Sequence, residues 1–161
     1  MPVESNPPGD IPDNIQYIPY TSKAGHFTLT LPEGWSRSTA SSMVTFTDNK
    51  LNVVTVAWSP ASSAPTTSTA RTTDVPRLRQ TERAFQLGDI KSVSLPAGPA
   101  VLITFTENSA PDQVTGKQYR LDVQRFEFFH NGEEAVLTLS SPVGRDNVDP
   151  WRLISESFRW K

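Results

Sequence analysis

The chain has 161 residues, the size of one ordinary domain with a single sizeable core. It has 15 Lys and Arg residues and 17 Asp and Glu residues, and the resulting formal net charge of -2 gives no general attraction for nucleic acid or an anionic membrane. The absence of cysteine excludes disulfides, thiolate metal sites and thiol nucleophiles.

The N-terminal region differs in composition from the rest. Its first fourteen residues contain four prolines and few large apolar side chains, which predicts a flexible tether. We therefore divide the chain into a tether and lead-in over residues 1–19 and a domain over residues 20–161. Serine and threonine are abundant and lysine is scarce, as is usual in exported bacterial domains. We expect that a signal or lipid-attachment sequence was removed before Pro2, and that only such a lipid anchor would reach a membrane.

The first clear strand lies in GHFTLTLPEGW, residues 25–35. Apolar side chains at positions 27, 29 and 31 share one face and threonines take the other, which is typical of a half-buried strand. Pro32 ends the strand because it has no N–H to donate. Trp35 is expected to return its ring to the core edge, and the alternative is an aromatic that stacks on a ligand.

A pair of strands follows at residues 43–47 and 51–58, joined by a turn that contains Asp48 and Asn49. The second strand, LNVVTVAW, has apolar residues on both faces, which predicts a central strand covered on both sides. Residues 59–73 are small, hydroxylated and without apolar periodicity. They predict a mobile surface loop, with a lid or a glycosylated spur as alternatives.

A helix is predicted next, with Asp74 as its N-cap and Gly88 at its end. Arg77, Arg79 and Arg83 face outward in this interpretation. They are either solvated decoration or a patch for an acidic partner.

Two hairpins are predicted after this helix. The first joins residues 90–95 and 100–107 through PAGP, and a loop over residues 108–116 follows it. The second has Asn131-Gly132, which favours a type I′ turn, between two strand-like runs. Its first arm changes apolar parity, so either both faces are covered or a bulge near Gln124-Arg125 resets the register.

The end of the chain, RDNVDPWRLISESFRW, predicts a second helix with Asp149 as its cap and Pro150 at its first position. Trp151, Ile154 and Phe158 form its apolar stripe. Since the strands have apolar residues on both faces, helices are expected on opposite faces of the sheet. The predicted fold class is α+β, a three-layer α/β/α sandwich around a mostly antiparallel sheet of about six or seven strands.

The order of elements, with PEGW at 32–35, PAG at 96–98 and SFRW at 157–160, resembles the PsbP-like superfamily. That superfamily includes the extrinsic photosystem II protein, Ran-binding import factors and exported bacterial lipoproteins of unassigned role. The resemblance covers about residues 20–161. It implies an α/β/α sandwich and a binding or assembly role, without implying an activity.

Few residues suggest catalysis or metal binding. His26 and His130 are predicted at the surface, and neither has metal-ligand spacing, although Glu127, Glu133 or Glu134 could join one of them. No serine nucleophile motif or phosphate-binding loop is present. Glu107 and Glu127 are the candidates for a carboxylate pair, with solvated strand surfaces as the ordinary interpretation. The sequence therefore predicts no catalytic residue, no cofactor, no metal and no enzyme.

The leading hypothesis is a non-catalytic extracytoplasmic binding or assembly module, a lipoprotein domain in its native form. Its partner would be a protein or small ligand of the cell envelope, not nucleic acid. The working surface is expected at an open end of the sandwich, framed by loops 59–73 and 108–116. A hydrolase-type enzyme and a self-associating envelope protein are the alternatives. The candidate surface residues are Trp35, Arg77, Arg79, Arg83, Glu127 and His130.

Overall fold

A computed structural model describes residues 10–161 of the chain. This range holds the following strands: β1 (Tyr17–Ser22), β2 (Phe27–Pro32), β3 (Ser36–Ala40), β4 (Met43–Thr47), β5 (Val53–Pro60), β6 (Arg83–Leu95), β7 (Gly98–Asn108), β8 (Arg120–His130), β9 (Glu133–Pro142) and β10 (Arg159–Trp160). Its helices are α1 (Thr67–Thr69), a π-helical turn (Ala70–Asp74), α2 (Val75–Thr81) and α3 (Val148–Ser157). Within residues 10–161, each helix is too short and too polar to cross a bilayer.

Two antiparallel sheets form the framework. The larger has seven strands in the order β3-β4-β5-β9-β8-β7-β6, and the smaller has the order β1-β2-β10. The predicted Asn131-Gly132 hairpin is confirmed: both residues have positive φ, and His130 pairs with Glu133 across a two-residue loop. Pairing along β8 is continuous with both neighbouring strands, so the bulge near Gln124-Arg125, one of the two alternatives left open by the sequence, is absent. The change of apolar parity instead reflects burial of both faces.

One face of the large sheet is covered by α3 and the small sheet. The main core lies between these layers and contains Phe27, Phe126 and Phe128 from the strands, with Ile154 and Phe158 from the closing segment. Phe158 stacks on Phe128 with ring centroids 4.4 Å apart and on Phe27 at 5.4 Å. The chain leaves the helix after Ser157 and becomes β10, which pairs with β2. This arrangement locks the small sheet to the large one.

The opposite face is covered by residues 67–81, named here the lid helix, which runs without a break through α1, the π-helical turn and α2. A second and smaller core lies beneath it. This core joins Val75 and Leu78 of the lid helix to Val101, Ile103 and Val123 of the strands. Helices therefore cover opposite faces of an antiparallel sheet, and the predicted three-layer α+β class is confirmed.

The boundaries of the first predicted helix were wrong. Thr66 is the N-cap and forms a capping box with Thr69, so residues 67–73, assigned to a mobile loop, are helical. Asp74 has helical backbone angles and makes no side-chain cap bond. The helix ends at Thr81, and Arg83, expected on the helix, opens β6.

Gly88 was predicted to end that helix, but it lies in a bulge of β6. The pairing of β6 with β7 shifts between Leu87 and Asp89, on either side of this glycine. A Cβ at Gly88 would lie 2.9 Å from the backbone oxygen of Thr104. Close approach of the two strands explains why a glycine occupies this position.

The central strand β5 is covered more completely on one face than on the other. Val54 and Val56 are fully buried beneath the small sheet and α3. Val53, Thr55 and Ala57 on the opposite face are half-buried, because the lid helix covers β6, β7 and β8 rather than β5. We expected both faces of this strand to be buried, and only one of them is.

The N-terminal division is partly outside the described residues. The expected tether includes residues 1–9, which are not described, and its outcome as a flexible segment stays a prediction. From Asp10 onward the lead-in packs on the domain: Ile11 is buried, and its backbone N–H donates to Asn147 Oδ1 at 3.0 Å. Asn147 is also the N-cap of α3, a place predicted for Asp149, which lies inside the first turn.

Candidate functional site

The residues predicted as a binding surface do not lie together. Trp35 is half-buried and packs on the main core, beside the turn that follows β2. His130 is exposed at the other end of the large sheet, where its ring stacks on Trp160 with centroids 5.7 Å apart. Arg77, Arg79 and Arg83 are exposed near the lid helix, and the Arg79 guanidinium lies 5.4 Å from the centre of the Phe85 ring.

The two loops expected to frame the working surface lie at opposite ends of the large sheet. Residues 61–66 begin at the β8–β9 hairpin, where the Ala61 N–H donates to the Gly132 carbonyl at 2.9 Å. Residues 109–119 follow β7 at the other end, where Asn108 pairs with Arg120. Strand β8 separates the two ends by about 33 Å, at about 3.3 Å per residue. The predicted joint surface was wrong for this reason.

A groove open to solvent lies beside α3. It arises because one face of β7 and β8 changes from apolar to polar along the strands. On β8, Phe126 and Phe128 lie beneath the covering layer, whereas Gln124 and Asp122 continue the same face beyond it. On β7, Thr104 and Thr106 do the same. Neither α3 nor the small sheet reaches these polar positions, so the sheet surface stays open.

The groove has a volume of about 490 Å³, within the range of small-molecule sites. One wall is the start of α3, where Val148 and Trp151 contribute apolar surface. The other wall is the bulge of β6 at Leu87 and Gly88. The floor offers hydroxyl, amide and carboxylate groups: Gln86, Thr104, Thr106, Asp122, Gln124 and Ser141. The arrangement suits a ligand with both apolar and hydrogen-bonding parts.

Arg120 organises one end of this floor. Its guanidinium donates to Thr106 Oγ1 at 2.5 Å and to Asn108 Oδ1 at 3.0 Å, and it reaches Gln86 Oε1 at 3.5 Å. It also donates to the Ala84 carbonyl at 2.7 Å. Because Ala84 has a φ of 49°, a region that few non-glycine residues adopt, this bond helps to hold a strained irregularity near the start of β6, where the pairing with β7 shifts between Arg83 and Gln86.

Arg145 supplies a further charged group at the groove. Its Nε is buried, and no hydrogen-bond acceptor among residues 10–161 faces that atom. A donor left without an acceptor away from water has a free-energy cost.

Glu127 is not on a solvated surface, which corrects the interpretation from sequence. Its side chain is fully buried beneath the lid helix, with Oε2 3.1 Å from Arg125 Nε. Burial and then a hydrogen bond with the Asp74 carboxyl raise the pKa of Glu127 to about 8, against the opposing effect of Arg125. Burial also raises the pKa of the neighbouring Glu134. The sequence contained a signal for this burial, because Glu127 shares its strand face with Val123.

Glu107 lies on the same side of the sheet, near the end of the lid helix. Burial raises the pKa of Glu107 to about 8, and a hydrogen bond and charge repulsion with Glu82 contribute, whereas Arg120 lowers it. Glu107 and Glu127 therefore do not pair with each other. Each meets a carboxyl of the helical layer, and neither lines the groove beside α3.

The histidines hold the two sheets together. His26 Nδ1 lies 3.0 Å from Glu133 Oε2, which links the turn before β2 to the β8–β9 hairpin. Both histidines are exposed, as predicted. Across residues 10–161, no three His, Asp or Glu side chains converge in a way that could hold a metal ion.

No model of a known protein family matches the sequence, and no curated protein matches it. Solved structures do share its architecture. Cyanobacterial PsbP (CyanoP) from Synechocystis is 14% identical over 100% of both chains, with a TM-score of 0.62. The Ran-binding protein Mog1p from Saccharomyces cerevisiae is 6% identical, with 91% of this chain and 96% of that chain covered and a TM-score of 0.59.

A third similar structure is LpqN, involved in cell envelope biogenesis of Mycobacterium tuberculosis. It is 15% identical, 91% of each chain is covered, and the TM-score is 0.53. At these identities the likeness concerns the backbone architecture. The resemblance inferred from the sequence is confirmed at that level, and this chain has the PsbP-like fold.

Proposed function

We propose that the protein is a non-catalytic binding or assembly module whose ligand occupies the groove beside α3. The observation that carries this proposal is the groove itself, an open site of about 490 Å³ with apolar walls and a floor of hydrogen-bonding groups. Most of its lining lies on β6, β7, β8, β9 and the start of α3, and Arg145 and Asn147 come from the segment that joins β9 to α3. Sites on such elements hold their geometry without a ligand.

The charges around the groove favour binding over acid–base catalysis. The two carboxyls whose pKa values are raised to about 8, those of Glu107 and Glu127, lie on the opposite side of the sheet, toward the lid helix. Asp122 is the carboxylate among the lining residues, and it is exposed. The printed descriptions of two proteins with this fold, a Ran-binding protein and a protein of envelope biogenesis, agree with a binding role by analogy of fold.

The test is a screen of soluble fragments and short synthetic peptides, read from amide shifts in NMR spectra of the labelled protein. Binders are expected to shift the amides of Gly88, Thr104 and Asn147, which line the groove. Gln124→Trp fills the floor and should abolish these shifts. Thr45→Trp is the matched control, because Thr45 is half-buried on the other face of the sheet and should leave binding unchanged.

The chain has another groove, lined in part by Trp35, Asp48 and Lys50, and binders that map to it would overturn the assignment of the site. Binding that survives Gln124→Trp would do the same. A screen without any binder would count against a binding module with a preformed site. Retention of the β2 and β9 amide pattern verifies that each variant is folded.

We further propose that the module works outside the cytoplasm, attached to the cell envelope through a lipid on a longer precursor, with a protein or small ligand of the envelope as its partner. The support is the likeness to LpqN, together with a composition rich in serine and threonine and poor in lysine. Feeding the native host a clickable fatty acid should label the full-length gene product. A product that stays unlabelled and fractionates with the cytoplasm would refute this placement.

A further inference from the structure

The lid helix meets the sheet through two pairs of carboxyl groups, one at each end of α2. Asp74 directly precedes α2, and its carboxyl hydrogen-bonds with that of Glu127 on β8. Glu82 directly follows α2, and its carboxyl hydrogen-bonds with that of Glu107 on β7. Acidic pairs therefore fasten both ends of the helix that covers the smaller core.

Each pair requires a proton to form its hydrogen bond. Glu127 is fully buried, and its Oε2 already accepts from Arg125 Nε. Its Oε1 is buried and accepts from no N–H or hydroxyl group among residues 10–161, and the same holds for Glu107 Oε2. A carboxylate oxygen can bond to another carboxyl only if one of the two is protonated. Two neighbouring carboxylates that are both ionised repel each other.

The surrounding charges do not compensate a second negative charge in either pair. Around Asp74 and Glu127 lie Arg125 on β8 and, near Glu134 of β9, Arg77 of α2. The strand positions that pair with Glu127 on either side carry Val101 and Val136, which are apolar. Arg120 favours the ionised form of Glu107 electrostatically, but its guanidinium is bonded to Thr106 and Asn108 on the other face of the sheet. When a pair loses its shared proton, its two carboxylates are both negatively charged and repel each other at that end of α2.

We propose that the lid helix is a proton-held cover, fastened to the sheet in mildly acidic solution and loosened in alkaline solution when the two carboxyl pairs lose their shared protons. The surface that it covers is apolar. It consists of Ile90, Val101, Ile103, Phe105, Leu121 and Val123. Loosening exposes this face of β6, β7 and β8, on the side of the sheet opposite the groove beside α3, so this inference does not depend on the proposed function.

The direction of the effect follows from proton uptake. Burial raises the pKa of both Glu107 and Glu127 from an ordinary value of 4.5 to about 8. Between these values the folded chain keeps protons that the unfolded chain has released. The stability of the closed lid is therefore greatest below about pH 4.5 and falls as the pH rises through about 8.

The first experiment measures amide hydrogen-exchange protection factors, which correct for the intrinsic effect of pH on exchange. Amides of residues 75–81 in the wild-type protein should lose protection by at least about tenfold relative to those of β2 between about pH 5 and about pH 9. Glu127→Gln should remove much of this change, because its amide N–H donates to Asp74 without a shared proton. Glu107→Gln should act in the same way at the other end.

Glu156→Gln is the matched control, because Glu156 is exposed on α3 and remote from the lid helix. It should keep the wild-type pH response. Persistent protection of the β2 amides distinguishes local opening from global unfolding, so a variant that fails to fold is recognised at once.

The second experiment uses a fluorescent dye that binds exposed apolar surface. Its emission should rise above about pH 8 with the wild-type protein and with Glu156→Gln, and much less with the Glu107→Gln, Glu127→Gln double variant. Equal protection of the lid helix at both ends of the pH range would overturn the proposal. An unchanged pH response in the double variant would overturn it as well.

Discussion

The two faces of β7 and β8 are built from alternate residues of the same strands, yet they serve different purposes. One face carries the smaller core and the buried Glu127 beneath the lid helix. The other passes from Phe126 and Phe128 in the main core to Gln124 and Asp122 in an open groove. The threonine, glutamine and aspartate side chains of the groove floor reach water, whereas Glu127 on the other face is fully buried. The same alternation thus produces an open polar groove on one side and buried carboxyls on the other.

The two cores also differ in how many elements hold them. The main core is closed by α3, the small sheet and the large sheet, and aromatic rings stack across it. The smaller core is closed by one helical segment. We expect global stability to depend on the main core and local opening to start at the lid helix.

Among the variants that compare the two cores, Phe158→Ala should cause the largest loss of stability. Phe158 is fully buried between the rings of Phe27 and Phe128, so its truncation should lower the free energy of unfolding by about 3–5 kcal/mol. Urea unfolding measures the loss. Leu153→Ala on the exposed side of α3 is the control, with an expected change within about 0.5 kcal/mol. Similar losses in both variants would show that the ring stack is not the centre of stability.

Leu78→Ala tests the smaller core. Leu78 is buried between the lid helix and the strands, and its truncation should cost about 2–3 kcal/mol. Hydrogen exchange should show the greatest loss of protection in residues 75–81, with the β2 amides less affected. A uniform loss across both sheets would contradict the separation of the two cores.

Arg120→Lys tests the floor of the groove. A lysine ammonium cannot reproduce the guanidinium hydrogen bonds to Ala84, Thr106 and Asn108 at the same time. We therefore expect the free energy of unfolding, measured by thermal unfolding, to fall by about 1–2 kcal/mol. Arg71→Lys is the control, because Arg71 is exposed on the lid helix, and it should be close to neutral. If the two changes were equal, the Arg120 contacts would contribute no more to stability than a surface arginine does.

Thr66→Ala should have the smallest effect. It removes the capping box at the start of the lid helix and should cost about 0.5–1 kcal/mol. Amide hydrogen exchange should become faster in the first turns of the lid helix, and the midpoint of urea unfolding should change little. Ser68→Ala is the control, because Ser68 lies two residues after Thr66 and is exposed. It should leave amide exchange unchanged.

Much of the fold could be predicted because its signals are local. Alternation at positions 27–31 and the Asn131-Gly132 turn correctly indicated a strand and a two-residue hairpin. The lid helix was placed too late, because its capping box at Thr66 and Thr69 lies in a run of serine and threonine that resembles a loop. The groove was missed, although the alternate threonines at 104 and 106 continue the face of Leu102 and carry the signal for it.

The sequence by itself determined β2, β4, β5, β7, β8 and β9, the main turns, the apolar stripe of α3 and the class of fold, because side-chain period and turn chemistry act between residues close in the chain. It did not indicate β1, β3 or β10, and the start of β6 was assigned to a helix. Tertiary structure alone decided that Asp74 meets Glu127, that Glu82 meets Glu107, and that α3 stops short of the polar end of β7 and β8. These contacts join residues far apart in sequence. They depend on which element covers which part of the sheet, and packing of the whole chain sets that.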